Sequence, residues 1–144
     1  MRPVHALLAL AFAACAERGP PAWVGKGGFV EKGVFSGRRF CGSGGTDVEA
    51  RRALATVLEQ FSVRLAGREG VLAHQLYDEL GKVASSEHIA ERWAAKDGSG
   101  RRALAVMTLE EASTAIEAFP WLAPAARAEL RSRLRPAFDA LAAP

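Results

Sequence analysis

The sequence predicts an α+β fold, in which a small antiparallel sheet of about three strands is packed by two or three helices. A C-terminal helical extension follows this domain. Three observations predict the class. Apolar residues in 46–66 recur at the three- and four-residue spacing of an amphipathic helix. A glycine-containing turn at 96–100 separates two short apolar runs, as in a β-hairpin. The length of 144 residues suits one domain.

Composition and charge exclude several classes of protein. The chain is 49% hydrophobic and 24% charged, as globular proteins are, which excludes a disordered, collagen-like or multi-spanning membrane protein. The formal net charge is +3, with both signs mixed along the chain. Arginine pairs occur without the interleaved aromatic residues of a nucleic-acid platform. We therefore expect no nucleic-acid partner.

The N-terminus has the features of an export signal. Arg2 supplies a positive charge, residues 6–14 form a short apolar run, and small residues follow. The run is too short to cross a bilayer, which takes about 20 apolar residues. We expect residues 1–14 to be a signal peptide.

Two cleavage sites are compatible with this signal. Ala13-Ala14-Cys15 resembles a bacterial lipobox, in which Cys15 becomes the lipidated first residue. Ala14-Cys15-Ala16 also fits a small-x-small site, with cleavage before Glu17. In the first case residues 15–21, which include two prolines, form the lipid-anchor tether. With Cys41 as the only other cysteine, a disulfide framework is excluded.

The first strands and the first helix have clear local signals. A strand is expected within residues 33–41, ended by the glycine-rich residues 42–45. Thr46 and Glu49 have capping-box spacing and open a helix. Gly67 ends that helix.

The remaining elements alternate between helix and strand. They are a helix over residues 69–83, a strand over 88–94, a hairpin turn over 96–100, a strand over 102–107 and a helix from Thr108 to about residue 118. Thr108 and Glu111 have capping-box spacing, and Pro120 stops this helix. Apolar residues at helical spacing over residues 122–141 predict a last helix, which Pro136 should kink or restart.

The sequence carries weak signals for chemistry. Residues 42–46 could cradle a phosphate, but the carboxylates of Asp47 and Glu49 in the next turn would repel an anion, which favours a structural turn. His74 and His88 show no metal-ligand spacing, and no nucleophile motif or facing carboxylate pair is present. We expect no catalytic site, metal, cofactor or small-molecule substrate.

The tryptophans and the last arginines allow two interpretations each. Core packing is the simpler role for the tryptophans, and an exposed partner-binding patch containing Trp23 or Trp121 is the alternative. Arg127, Arg131 and Arg135 are four residues apart and line one side of the last helix. They either face an anionic membrane or form the solvated edge of a docked helix.

Several segments together resemble a known family. They are Pro21-Ala22-Trp23-Val24, Gly42-Ser43-Gly44 leading into residues 50–65, and Ile89 to Trp93 followed by Asp97-Gly98 and Ala103-Leu104-Ala105-Val106. Over residues 21–118 the chain resembles the Lpp-twenty lipoprotein family, which is related to the N-terminal domain of flagellar assembly protein T. The resemblance implies a helix packed on an antiparallel sheet, attachment to the outer membrane or cell surface, and no catalytic site.

These observations combine into one functional prediction. The expected organisation is a signal peptide (1–14), a tether (15–21), an α+β domain (22–118) and a C-terminal amphipathic helical extension (119–144). We expect a non-enzymatic envelope lipoprotein anchored in the outer membrane through Cys15, facing the periplasm or the cell surface, with an envelope protein as a partner. The alternative is a soluble periplasmic or secreted domain that binds a small ligand or an envelope polymer. A small hydrolase is a remote alternative.

Overall fold

The computed structural model describes residues 19–33, 37–84 and 88–143. Its elements are β1 (Gly28–Gly33), β2 (Gly37–Gly44), α1 (Asp47–Ala66), α2 (Val71–Ala84), β3 (Ile89–Ala94), β4 (Arg101–Thr108), α3 (Leu109–Glu117) and α4 (Pro124–Ala142). The predicted α+β class is confirmed. The predicted signal peptide and the predicted lipid-attachment residue, Cys15, lie outside the described residues.

The strands form one antiparallel sheet in the order β1-β2-β4-β3. The sheet has four strands, one more than predicted, because β1 pairs with β2 from Gly28 opposite Gly42 to Gly33 opposite Gly37. β3 and β4 form the predicted hairpin, in which the N–H of Ala95 donates to the carbonyl oxygen of Gly100 at 2.8 Å. Each middle strand therefore has a strand on both sides.

Strand β2 runs through the glycines that were predicted to end it. It continues to Gly44, so the prediction of a break after residue 41 was wrong. A Cβ atom at Gly42 would lie 2.2 Å from the nitrogen of Leu54, and one at Gly44 would lie 2.7 Å from the nitrogen of Ala50. Helix α1 thus lies directly on the backbone of β2, and glycine is the residue that leaves room for it.

The main core lies between the sheet and the helices. Phe40 of β2 packs against Phe61 of α1 and Phe138 of α4, with ring centroids 4.8 and 5.1 Å away. All three side chains have 0% exposure. Such offset and edge-to-face pairs add to the energy of burial. The phenylalanines therefore join the sheet, the first helix and the last helix in one core.

The predicted helix ends are confirmed. Thr46 caps α1 by accepting a hydrogen bond from the N–H of Glu49, and Gly67 ends it with φ of 87°. Thr108 and Glu111 form a complete capping box at the start of α3. These local bonds satisfy the backbone groups that a helix leaves free at its ends.

The segment predicted as a C-terminal extension forms α4 and enters the main core. Its buried residues are Leu130, Leu134, Ala137 and Phe138. Pro136 lies inside this helix, which continues to Ala142. Near its end, Asp139 accepts a hydrogen bond from Arg38 Nε of β2 at 2.9 Å. The last helix is therefore tied to the sheet by both apolar and charged contacts.

Candidate functional site

The sheet face opposite the helices is partly covered by the segment that precedes β1. Trp23 lies there with 8% exposure, and its indole N–H donates to Glu91 Oε2 at 2.8 Å. It packs with the buried residues Cys41 and Leu104. Four half-buried side chains pack against this cluster and form what we call the sheet-face patch: Val24, Phe29, Trp93 and Val106. This patch lies on the face of the sheet that the helices leave uncovered in the described part of the chain.

The two tryptophans considered for partner contact have different environments. Trp23 belongs to a buried cluster, so it is a packing residue and not part of an exposed aromatic patch. Its ring packs in the same cluster as Cys41 and Leu104, and this packing accounts for the low exposure of Trp23. Trp121 is 38% exposed and stacks on Phe119, with ring centroids 5.5 Å apart. A partner contact through Trp121 stays a prediction.

Charged groups lie beside the sheet-face patch. Arg39 of β2 pairs with Glu31 of β1, and the hydrogen bond to Glu31 raises the pKa of Arg39. Lys26 Nζ lies 5.1 Å from the centroid of the Phe29 ring. Burial raises the pKa of the Cys41 thiol to about 11, and the charge of Glu31 adds to this shift. A thiol with so high a pKa is a poor nucleophile near neutral pH.

The two described histidines each contact one carboxylate and lie near opposite ends of α2. His74 is in the first turn of this helix, with Nε2 3.8 Å from Asp78 Oδ2. His88 follows the helix, and its Nε2 lies 2.9 Å from Glu111 Oε2. His88 Nδ1 is buried without a hydrogen-bond partner. The arrangement does not bring both histidines and a carboxylate into one cleft.

The glycine-rich segment considered as a phosphate cradle is a strand followed by a capped helix start. The N–H of Gly45 donates to Glu49 Oε2 at 2.8 Å, and the N–H of Glu49 donates to Thr46 Oγ1 at 3.1 Å. Side chains of the protein thus use amides that an anion would need. Asp47 places a further carboxylate at the helix start and pairs with Arg92 at 2.8 Å. The arrangement agrees with a structural turn.

The three arginines considered as membrane-facing do not have a common role. Arg127 is half-buried, and its Nη2 donates to the carbonyl oxygens of Phe119 and Leu122 at 2.9 and 3.0 Å. Arg131 pairs with Glu117 of α3, which lowers the pKa of that carboxyl. Arg135 is exposed. Membrane contact through this edge stays a prediction. Arg127 is the least available of the three for such contact, because its guanidinium binds backbone carbonyl oxygens.

The fold adds one residue to this edge that sequence reasoning missed. Arg38 belongs to an arginine pair in the sequence, and such a pair is typical of a solvated strand. In the fold, Arg38 lines the same pocket as Arg131 and Arg135. The residues are more than ninety positions apart in sequence, and no local pattern links them.

Neither a membrane-spanning helix nor a metal-binding cluster occurs among the described residues. No described helix has the length and apolar character that crossing a membrane requires. No group of three or more histidine, cysteine, aspartate or glutamate side chains in the described ranges could hold a metal ion.

Comparison with known proteins leaves the family open. No family model, curated protein or solved structure matches this chain. The resemblance to the Lpp-twenty lipoproteins, the lipid anchor and the envelope location therefore stay predictions drawn from the sequence.

Proposed function

We propose that this protein is a non-enzymatic lipoprotein of the bacterial envelope, anchored through Cys15 and acting as an interaction or structural module. The position of Trp23 supports this proposal. It follows Cys15 by eight positions in the sequence and is already buried against the sheet. Eight residues span at most about 28 Å when fully extended. The folded domain would therefore be held close to the membrane surface.

The sheet-face patch is the surface that such a module would offer to a partner. Trp23 is fixed on this face by its bond to Glu91, so the tether enters the domain next to the patch. Half-buried apolar side chains flanked by charges are typical of protein interfaces, whose centres are apolar and whose rims are polar. The partner that fits this surface is another envelope protein within reach of the anchor.

Chemical analysis of the mature N-terminus tests the anchor. Cells expressing the full chain would be fed a clickable fatty acid, and the purified protein would be analysed by mass spectrometry. We expect the wild type and Cys41→Ala to carry diacylglycerol and to sediment with membranes. Cys15→Ala should carry none. A free N-terminus at Glu17 would contradict the anchor and support the soluble periplasmic or secreted alternative.

Site-specific photocrosslinking in cells tests the interaction surface. A photoreactive amino acid would replace Val106 of the patch or, as the control, Val71, which is 76% exposed on α2. We expect position 106 to capture a discrete envelope protein, and only when Cys15 is present. Equal capture at position 71, or capture by the Cys15→Ala chain, would count against an anchored module that binds through this face.

A further inference from the structure

A basic pocket lies where the start of β2, the start of α3 and the middle of α4 meet. Its volume is about 620 Å³, within the range of sites that hold small ligands. Its charged lining consists of Arg38, Arg131, Arg135 and Glu110. Thr108, Ser113 and Ser132 also line it. We infer that this pocket binds a phosphate group, as a phosphate ester or free phosphate.

Two of the arginines are held in place by carboxylates. Arg38 donates from Nε and Nη2 to Asp139 at 2.9 and 3.4 Å. Arg131 donates from Nε to Glu117. The lining that the structure describes includes neither of these carboxylates. A guanidinium has five N–H donors, so each arginine keeps further donors for a ligand.

The third arginine supplies uncompensated charge. Arg135 is exposed and has no charged or hydrogen-bonding partner among the described residues. Arg38 and Arg131 are paired with carboxylates outside the lining, so Arg135 is the lining arginine without such a pair, and Glu110 is the one carboxylate in the lining. What the pocket offers an anion is therefore the unused N–H donors of three guanidiniums more than a large net charge.

A second groove on the same helix has a different charge composition. The groove between α1 and α4 is larger, at about 1050 Å³. Its charged lining residues are Glu59, Arg64, Glu69 and Arg133, two of each sign. The two grooves on α4 therefore differ in charge. A third pocket, beside β3 and β4, also has three arginines and one carboxylate, but there the carboxylate of Asp47 pairs with Arg92 inside the lining.

The shape of the donor set favours phosphate over carboxylate. Phosphate has several oxygens in a tetrahedral arrangement, so guanidiniums approaching from β2 and from successive turns of α4 can each meet a different oxygen. A carboxylate has two oxygens in one plane. Thr108 and Ser132 use their hydroxyls in bonds to Glu111 and to the Glu129 carbonyl oxygen, so Ser113 is the lining residue whose hydroxyl is left for the ester group.

A titration of the full chain in neutral detergent micelles tests the site. Inorganic phosphate would be added at constant ionic strength while the Nε–H signals of the arginines are followed by NMR. We expect saturable shifts at Arg38, Arg131 and Arg135. Arg135→Gln should weaken binding about tenfold, as expected for the loss of a charge-assisted contact. Glu110→Gln should tighten it several-fold by removing the repelling carboxylate.

The matched control is Arg133→Gln, which removes the same charge from the same helix. Arg133 lines the other groove. We expect it to leave phosphate affinity unchanged. Equal weakening by Arg133→Gln and Arg135→Gln would reduce the effect to general charge attraction and overturn the proposal. So would the absence of saturable shifts in the wild type. Unchanged backbone spectra would verify that each variant is folded.

Two soluble esters identify the source of the phosphate group. Glycerol phosphate is a monoester, and glycerophosphoglycerol is the diester headgroup of an anionic lipid without its acyl chains. Tighter binding of the diester would point to a lipid headgroup, and tighter binding of the monoester or of inorganic phosphate to a free metabolite. If none of the three binds in a way that depends on Arg135, the pocket is not a phosphate site.

Discussion

Adjacent side chains in β2 meet opposite layers of the molecule. Phe40 enters the helical core, whereas Cys41 lies under Trp23 on the other face of the sheet. This follows from the alternation of side chains along a strand. Because of this alternation, a change at Cys41 affects the buried cluster of Trp23, Cys41 and Leu104 and not the helical core. Its thiol is fully buried and has neighbours of both signs, including Glu31 and Arg39.

The Cys41 thiol should make the protein less stable at alkaline pH. Burial raises its pKa from 9.0 to about 11. Since the folded-state pKa is the higher one, its contribution is complete below about pH 9 and is lost as the pH rises through 11. The shift corresponds to about 2–3 kcal/mol. Urea unfolding between pH 8 and 11 would measure it, with Cys41→Ala as the reference. Parallel pH curves for the two proteins would refute the prediction.

Packing of α1 on β2 shows how helix and strand constrain each other. The helix has a short polar cap and a largely apolar buried side, both readable from sequence. The strand beneath it carries Gly42 and Gly44, which read as a loop until the helix is placed on them. Sequence reasoning therefore predicted the helix correctly and ended the strand too early. Glycine is unfavourable in a strand by itself, and the close approach of the helix outweighs that preference.

Gly42→Ala should be strongly destabilising. The added Cβ would lie 2.2 Å from the nitrogen of Leu54 and 2.4 Å from the carbonyl oxygen of Ala50, so backbone would have to move. We expect a loss of about 3 kcal/mol or more in the free energy of unfolding. Gly81→Ala is the control, because its Cβ meets nothing within 4 Å and it lies inside α2. It should stabilise by about 0.5–1 kcal/mol. Equal effects in thermal unfolding would contradict this account.

The core extends across residue 119, where the sequence suggested that a domain gives way to an extension. Phe138 of α4 packs against Phe40 at the centre of the sheet. Arg127 connects the turn after α3 to α4 by binding two carbonyl oxygens. Sequence periodicity predicted the last helix and its apolar side. It did not predict which surface that side covers, because this depends on the part of the sheet that the other helices leave uncovered.

Removal of the Phe138 ring should therefore lower the free energy of unfolding as much as removal of a core side chain from the sheet. Phe138→Ala is expected to lower the free energy of unfolding by about 3–5 kcal/mol, because it leaves a cavity beside Phe40. Trp121→Ala removes a larger ring from the same segment, but one that is 38% exposed, and should cost much less. Urea unfolding of both variants would measure the difference. A small effect at Phe138 would mean that α4 is dispensable for the fold.

Local sequence was sufficient to predict the α+β class, the capped starts of α1 and α3, the glycine end of α1 and the β3–β4 hairpin. These features depend on hydrogen bonds and apolar spacing within a few residues, so the chain encodes them wherever the segment lies. The placement of α4 in the core, the burial of Trp23 and the meeting of Arg38 with Arg135 depend on strand register and helix docking. Those contacts join distant positions, and folding of the whole chain is needed to bring them together.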